Sequence, residues 1–233
     1  MSEGTVTPLT VVTPINGKTH RDFLPYWEAS LNRCIPKANV IVHEYDYDPK
    51  DKRFGIPGVR GDIAKMENTH KFSNLLTTDV DALFVGPFTY QPSSPKIRLA
   101  MPIKWMIPDT DPEMEPEEWG SRMIWRILDR VGIKNPEPLA VQPWAIWSSA
   151  DLMPAFKREI GPAEEAISKE RFGTRFPLTI AIFTAMWHRL KKQGEAEAMP
   201  GGCIFHLPVY PLDRRLEIAK ATWERFCNAD KDH

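Results

Sequence analysis

Two aspartates interrupt an apolar part of the chain, and this pair constrains the fold more than any other feature. The segment LLTTDVDALFVGPF at residues 75–88 places Asp79 and Asp81 after one apolar run and before another that ends at a Gly-Pro break. Side chains two apart in a strand point to the same face, about 6.5–7 Å apart. Ligands bind at the carboxyl ends of the strands in open α/β sheets. We therefore expect both carboxylates to project from a strand end, where a divalent cation would relieve their repulsion.

An exposed turn that happens to contain two aspartates is the alternative interpretation. A short D-x-D pattern is weakly specific by itself. Here an apolar strand precedes the pair and an apolar run follows it, and a solvated turn rarely has such flanks. The flanking residues therefore favour a site.

The segment before the acidic pair alternates between strand and helix patterns. Strands are predicted at residues 8–14 (PLTVVTP), 38–46 and 72–81. Apolar side chains recur at helical spacing within residues 20–34, and a short helix is plausible at residues 62–68. This order is βαβ-like, so it favours an α/β fold with a mostly parallel sheet and helices packed on it.

The second half of the chain is less regular. Residues 96–105 predict a strand, and residues 138–149 predict a strand that contains a proline and so lies at an edge or a bulge. Ser149 is placed to cap the helix that follows. Residues 176–192 are apolar on nearly all sides and predict a buried helix, while residues 212–227 predict an amphipathic one. No linker separates a second domain, so we expect a single domain.

Composition limits the class of protein. The 233 residues are 42% hydrophobic and 26% charged with a net charge of −1, which is typical of a globular domain and argues against a protein that mainly coats nucleic acid. Three cysteines without metal-ligand spacing, and no secretion-signal pattern, favour reduced thiols and a cytoplasmic location. No apolar run approaches the roughly 20 residues that span a bilayer, so we expect a soluble protein without a membrane partner.

The order of these elements resembles the nucleotide-binding half of GT-A glycosyltransferases. The strand ending VVTP, a helix, a second strand, the helical RGDIAKM and LLTTDVDALFVGPF follow one another over residues 8–90. The usual motif of that family is close to hLDxDhhhh…P, with h apolar, and Thr78 stands where leucine is common. The resemblance implies a GT-A-like, Rossmann-type, mixed and mostly parallel sheet flanked by helices in one domain. Residues 1–95 would be the nucleotide-sugar-binding half and residues 96–233 the acceptor-binding half.

The resemblance also implies a reaction, the metal-dependent transfer of a hexose or pentose from a nucleoside-diphosphate donor to a hydroxyl group. Asp81 would be the direct ligand of Mn²⁺ or Mg²⁺, and Asp79 would bind the ribose or sugar of the donor and the metal as well. His206 would complete the metal site, although a hydrogen-bonded core histidine remains open for this position. A divalent metal together with Lys or Arg would neutralise the charge on the departing nucleoside diphosphate.

A larger donor-binding set is implied on both sides of the acidic pair. It comprises Thr13, Pro14, Asn16, Arg60, Asp62, Lys65, Thr78 and Asp79. The first three residues would follow the first strand and line the nucleoside pocket, and those around residue 62 would contact phosphate or sugar. Solvated helix charges remain open for Arg60 and Lys65, and a helix cap remains open for Asp62.

The acceptor side gives fewer signals. Trp144 and Trp147 are candidate acceptor platforms; on a strand they face opposite sides, so at most one meets an acceptor while the other packs. Trp105 and Trp119 are alternative platforms. Asp151 is the candidate base for an inverting reaction, unless it merely lies in the first turn of its helix. The acceptor stays open between a soluble glycan, a protein side chain and a hydroxylated DNA base, and the stereochemistry stays open too.

Other functional classes remain. A nucleotidyltransferase also uses a strand-borne acidic pair and a divalent metal, but its glycine-rich phosphate loop is missing from TPINGKTHRD. A non-catalytic module that binds carbohydrate or nucleotide would share the fold without the chemistry. No G-x-S-x-G turn or zinc-ligand cluster supports a hydrolase. A second acidic triplet, with Asp109 and Asp111, has no apolar strand before it and favours an exposed loop.

Overall fold

The computed structural model of the chain describes residues 8–16, 20–45, 57–105, 124–134, 136–170, 177–207 and 212–228. The strands are β1 (Thr10–Asn16), β2 (Asn39–Tyr45), β3 (Leu75–Thr78), β4 (Ala82–Phe84), β5 (Leu99–Met101), β6 (Ile103–Trp105), β7 (Leu139–Val141), β8 (Ala145–Ser148), β9 (Ala196–Ala198) and β10 (Ile204–His206). The helices are a 3-10 turn (Arg21–Phe23), α1 (Leu24–Cys34), α2 (Pro57–Met66), α3 (residues 124–130), α4 (Met153–Glu170), α5 (Pro177–Lys192) and α6 (Leu212–Asn228).

A six-stranded mixed sheet organises the molecule, in the order β2-β1-β3-β8-β5-β9. β1 pairs in parallel with β2 and β3, β8 runs antiparallel to both β3 and β5, and β9 is parallel to β5. Two-stranded sheets join β10 to β4 and β6 to β7. This architecture confirms the predicted α/β fold. Both predicted halves contribute strands to the same sheet, and their donor and acceptor roles remain a prediction.

Helices cover both faces of the sheet. Leu99 and Met101 of β5 belong to a core with apolar residues of α2, α3, α4 and α5, whereas Ala100 between them belongs to a core with α1. The alternation follows from the two-residue repeat of a strand. Each large side chain that is fully buried, such as Trp27 or Phe183, contributes about 1.5–3 kcal/mol. None of the helices in the described ranges has the length and apolar character needed to cross a lipid bilayer.

Local sequence patterns predicted several elements well. α1 contains a proline in its first turn, where a missing N–H is tolerated. Trp27 and Leu31 of that helix are buried, as their helical spacing predicted. The apolar α5 is also buried along most of its length, with Leu178, Ile182 and Phe183 fully inaccessible.

Three strand predictions were wrong, each around a proline. The strand predicted over residues 96–105 is two strands, β5 and β6, which lie on either side of Pro102 and belong to different sheets. β1 does not end at Pro14 but continues to Asn16, because β2 still pairs with it there while the ladder to β3 ends at Val12. The strand predicted over residues 138–149 is two strands, β7 and β8, separated by Gln142, Pro143 and Trp144. β8 is an interior strand and not an edge, because the proline lies in the connecting turn and interrupts no ladder.

Candidate metal and donor site

The acidic pair lies in a turn between β3 and β4. β3 ends at Thr78, and the Asp79 N–H then donates to the carbonyl of Trp144 at 2.9 Å. The Ala82 N–H donates to the Asp79 carbonyl at 3.0 Å, which closes a turn over residues 79–82. The strand geometry predicted for the pair was therefore wrong, because pairing with β8 ends one residue earlier. The predicted location at the carboxyl end of β3 is correct.

Asp79, Asp81 and His206 meet at this turn. β10 runs antiparallel to β4 with His206 opposite Ala82, and the Leu207 N–H donates to the Asp81 carbonyl at 3.0 Å. One ligand atom from each of the three side chains lies within 4.8 Å of the others. His206 Nε2 is 3.9 Å from Asp79 Oδ2 and 3.6 Å from Asp81 Oδ1. The structure thus brings the three predicted metal ligands together.

The arrangement of these atoms fits a divalent cation. Both distances to Nε2 are too long for hydrogen bonds. Two carboxylates and an imidazole form a donor set suited to Mn²⁺, and their oxygens also suit Mg²⁺. Neighbouring ligands of an octahedral cation with bonds of about 2.1 Å lie about 3 Å apart. The two carboxylate oxygens need to approach His206 Nε2 by less than about 1 Å to reach that spacing.

The protonation state of His206 also suits a metal ligand. Its ring stacks on Trp144, with centroids 5.8 Å apart and planes 11° from parallel. Burial lowers the pKa of His206; the Asp79 carboxylate acts in the opposite direction, and the Lys65 cation adds to the decrease. The imidazole is therefore neutral near pH 7 and can offer a lone pair.

A buried lysine holds Asp79 from the side of α2. Lys65 Nζ lies 2.6 Å from Asp79 Oδ1 and 3.2 Å from Asp62 Oδ1, and it donates to the Pro143 carbonyl at 2.8 Å. The side chains of Lys65 and Asp62 are only 4% and 6% exposed. α2 begins at Pro57, so Asp62 lies inside the helix. The alternatives of a helix cap for Asp62 and a solvated charge for Lys65 are therefore wrong.

This network sets the charge of each member. Burial opposes ionisation of Lys65, but Asp79 and Asp62 raise its pKa to about 12. Burial raises the pKa of Asp62 to about 6, although Lys65 acts in the opposite direction. Burial would also raise the pKa of Asp79, but Lys65 and His206 outweigh it and the pKa is lowered. Asp79 is thus held ionised, with Oδ1 on Lys65 and Oδ2 facing His206.

Two basic residues of the site were missed by the sequence analysis. Arg215 on α6 forms an ion pair through Nη2 with Asp81 Oδ2, and its guanidinium carbon lies 5.3 Å from the centroid of the Phe23 ring. His20 follows β1, and its Nδ1 lies 3.4 Å from the backbone nitrogen of Asn16. Burial lowers the pKa of His20, and the nearby Asp79 carboxylate opposes that decrease. Only the basic character of α6 was visible in the sequence.

The remaining predicted donor residues differ in accessibility. Thr78 is buried and its hydroxyl accepts a hydrogen bond from Trp27 Nε1 at 2.9 Å, so it ties α1 to the sheet. Thr13 is fully buried, and its hydroxyl has no hydrogen-bond partner among the described residues. Pro14 and Asn16 lie on β1 beyond the last residue that pairs with β3. Arg60 lies on α2 and is half-buried.

The two candidate tryptophan platforms have different surroundings. Trp147 is buried, its indole N–H donates to Asn74 Oδ1 at 2.9 Å, and its ring packs edge-on against Tyr90. Trp144 is half-buried and stacks on His206 beside the acidic pair. Trp144 therefore remains the candidate platform, while Trp147 packs. The acidic residues Asp109 and Asp111, the alternative platform Trp119 and the side chain of Trp105 lie outside the described residues.

The candidate base lies at the other end of the sheet. β8 pairs Ala145 with Thr78 and Ser148 with Leu75, so the chain reaches Asp151 beyond the amino end of β3. Its Oδ1 accepts a hydrogen bond from the Met153 N–H at 3.0 Å, at the start of α4. Asp151 therefore lies just before α4, not in its first turn as the alternative had it, and its carboxylate accepts from the first residue of that helix. This position gives the base role no support. The predicted Ser149 cap is wrong, because that hydroxyl donates to the Ile97 carbonyl.

Comparisons with known proteins agree with this fold. No protein-family model matches the sequence, and no curated protein matches it. The chain is similar in structure to a glycosyltransferase involved in the glycosylation of the major capsid of PBCV-1, with a TM-score of 0.56, 11% identity and coverage of 92% of this chain and 100% of the other. It is also similar to the galactosyltransferase LgtC in complex with donor and acceptor sugar analogs, with a TM-score of 0.54, 10% identity and coverage of 91% and 95%. The chain has the GT-A fold that its sequence predicted.

Proposed function

We propose that the protein is a metal-dependent glycosyltransferase that moves a sugar from a nucleoside-diphosphate donor to a hydroxyl acceptor. The observation that carries the proposal is the convergence of Asp79, Asp81 and His206 within 4.8 Å at the carboxyl end of β3. This edge of an α/β sheet is where ligands bind. The two similar structures are both glycosyltransferases, and one was solved with donor and acceptor sugar analogs.

Some side chains of the site would bind the metal or the donor, and others position the ligands. Asp79 Oδ2, Asp81 and His206 Nε2 would hold Mn²⁺ or Mg²⁺, which would neutralise charge on the departing diphosphate. Lys65 keeps Asp79 ionised and fixed in orientation. The end of β1 at Pro14 and Asn16, together with Arg60 on α2, would contact the nucleoside and phosphate.

The acceptor side is proposed from a single aromatic residue. Trp144 stacks on His206, and its half-buried indole offers a flat apolar surface that suits the face of a sugar ring. A soluble glycan, a protein side chain and a hydroxylated DNA base all present a hydroxyl group for transfer. We also propose that the enzyme works in the cytoplasm.

The test combines donor screening with a metal-site variant. The protein is incubated with UDP- and GDP-sugars in Mn²⁺, in Mg²⁺ or in EDTA, and release of nucleoside diphosphate is measured. We expect release only with a divalent metal, and Asp81→Asn should lower its rate about 10³-fold. The matched control is Asp129→Asn, because the side chain of Asp129 is 63% exposed and pairs with Lys134 on the surface.

Other results would point to other classes. Donor turnover in EDTA equal to that in Mn²⁺, or full activity of Asp81→Asn, would contradict the proposal. Release of pyrophosphate from a nucleoside triphosphate would indicate a nucleotidyltransferase. Binding of free sugar regardless of nucleotide and metal, without turnover of any donor, would indicate a binding module.

A further inference from the structure

Asp81 is already paired with a cation that belongs to the chain. Arg215 on α6 contacts Asp81 Oδ2, which leaves Oδ1 facing His206 at 3.6 Å. The side chains of Asp81 and Arg215 are 11% and 23% exposed, so the pair is partly shielded from water and from salt screening. A divalent cation bound at Oδ1 would therefore lie close to a fixed positive charge.

The cations that pair with Asp79 and Asp81 are held in place in different ways. Lys65, which pairs with Asp79, is buried between Asp62 and the Pro143 carbonyl, so it is held in place independently of Asp79. Among the described residues Arg215 pairs with no carboxylate besides Asp81, and its Nε has no hydrogen-bond partner there. The Phe23 ring supports the guanidinium from one side. The guanidinium of Arg215 is thus supported by the Phe23 ring, while not all of its N–H donors have a partner.

The unused donors suit a phosphate group. A guanidinium presents planar, forked N–H groups that bind phosphate oxygens in pairs, and it stacks on aromatic rings while doing so. If the donor diphosphate lies at the metal, as the proposed function requires, its oxygens reach the same region as Asp81. Arg215 can then exchange a carboxylate partner for a phosphate partner without leaving the Phe23 ring.

We propose that Arg215 is a resident counter-cation that occupies Asp81 until a nucleoside diphosphate draws it away. The inference rests on the proposed function and adds a regulation to it. Arg215 competes with the divalent cation for Asp81, so the metal alone binds weakly. The diphosphate removes this competition, so donor and metal strengthen each other's binding. Such coupling is reciprocal and commonly amounts to about 5- to 150-fold in affinity.

The first experiment measures the affinity of Mn²⁺ alone, from the EPR signal of unbound Mn²⁺ at pH 7.5. Arg215→Gln should bind Mn²⁺ at least about 5-fold more tightly than the wild type. Arg215→Lys keeps the charge and should stay near the wild type. Arg214→Gln, an exposed neighbour on the same helix, makes the same charge change and should alter the affinity less than twofold. The double variant Arg215→Gln/Asp81→Asn should lose the gain.

The second experiment repeats the titration with UDP and with GDP present. Either nucleotide should raise the Mn²⁺ affinity of the wild type several-fold more than that of Arg215→Gln, because the variant has no competition to relieve. Thermal unfolding of each variant shows whether α6 remains docked. If Arg215→Gln unfolds, Arg215→Met, which also removes the charge but keeps an apolar side chain beside the Phe23 ring, takes its place.

Unchanged or weaker Mn²⁺ binding by Arg215→Gln would overturn the inference. This outcome differs from failure of the proposed function. Tighter Mn²⁺ binding by Arg215→Gln without turnover of any donor would support the role of Arg215 as a counter-cation and contradict the proposed glycosyltransferase activity. Donor turnover by the wild type with no gain in Mn²⁺ affinity in Arg215→Gln would support the glycosyltransferase activity and contradict the counter-cation role of Arg215.

Discussion

Two clusters of buried charge in the described part of the chain invite comparison. The strand-end cluster comprises Asp79 and Asp81 with Lys65, Arg215 and His206. The helix-pair cluster is centred on Glu159 of α4, whose side chain is 2% exposed. Arg189 of α5 lies 2.9 Å from Glu159 Oε1, and Arg158 lies 3.7 Å from the same oxygen.

The difference lies in where the second carboxylate oxygens point. In the strand-end cluster each aspartate uses one oxygen for a side-chain cation, and the other oxygens converge on His206. In the helix-pair cluster Arg189 also donates to the Val131 carbonyl and the pair joins two helices, with no second carboxylate converging on the same point among the described residues. Buried charge alone therefore does not indicate a site, whereas convergent oxygens left over from internal pairing do.

The largest stability effect should come from Lys65, which belongs to the strand-end cluster but serves the fold as well. Lys65→Met would leave Asp62 and Asp79 without their cation, and breaking a buried pair from one side costs about 3–5 kcal/mol. We expect a loss of that size in urea unfolding at pH 7 without metal. Mn²⁺ should restore part of the loss, because it supplies positive charge to Asp79.

A double variant serves as the control for Lys65→Met. Asp62→Asn/Lys65→Met removes one of the two buried carboxylates that Lys65→Met leaves without a cation, so the double variant should be more stable than Lys65→Met alone. Equal stability of the single and double variants would show that the charge of Asp62 is not compensated by Lys65. The strand-end cluster would then not be a set of mutually compensating buried charges, and its contrast with the helix-pair cluster would no longer hold.

The next effect is a dependence of stability on pH. The folded pKa of Asp62 is about 6 and its ordinary value is 3.8. Between these values the folded state binds more protons than the unfolded state, so this group's contribution to stability is lost as the pH rises through the window. The free energy of unfolding of the wild type minus that of Asp62→Asn should fall by about 2 kcal/mol from pH 4 to pH 7. Urea titrations in EDTA measure it.

The control for the pH effect is Asp129→Asn. The Asp129 side chain is 63% exposed and pairs with Lys134 on the surface, where an ion pair contributes at most about 1 kcal/mol, so the effect of this variant over the same pH range should be much smaller than that of Asp62→Asn. A constant difference for Asp62→Asn would contradict the assignment of a raised pKa to that residue.

The sequence predicted the local elements of the fold but not the order of the strands in the sheet. β1, α1, β2 and β3 were predicted because their apolar patterns are local and repeat with the period of a strand or a helix. The insertion of β8 between β3 and β5 was not predicted. Strand order depends on pairing between segments far apart in the chain, which no local period records.

For the site, too, the sequence predicted the residues with a local pattern and not those that depend on distant contacts. Asp79 and Asp81 were predicted because apolar residues flank them in sequence. The roles of Lys65 and Asp62 were left open, since a charged helix residue has the same local pattern whether it is buried or solvated. Arg215 was missed because its partner Asp81 is remote in sequence. The sequence therefore predicted the carboxylates of the site better than the cations that hold them.

The smallest effect should come from the helix-pair cluster. Glu159→Gln removes the negative charge that lies 2.9 Å from Arg189 Nε, but the Arg189 side chain is 39% exposed and so retains water as a partner. We expect a loss of about 1–2 kcal/mol in the free energy of unfolding, with Mn²⁺ affinity and donor turnover unchanged. Weaker Mn²⁺ binding by this variant at equal folded fraction would show that the two clusters are coupled, and convergent oxygens would then no longer suffice to tell a site from a structural pair.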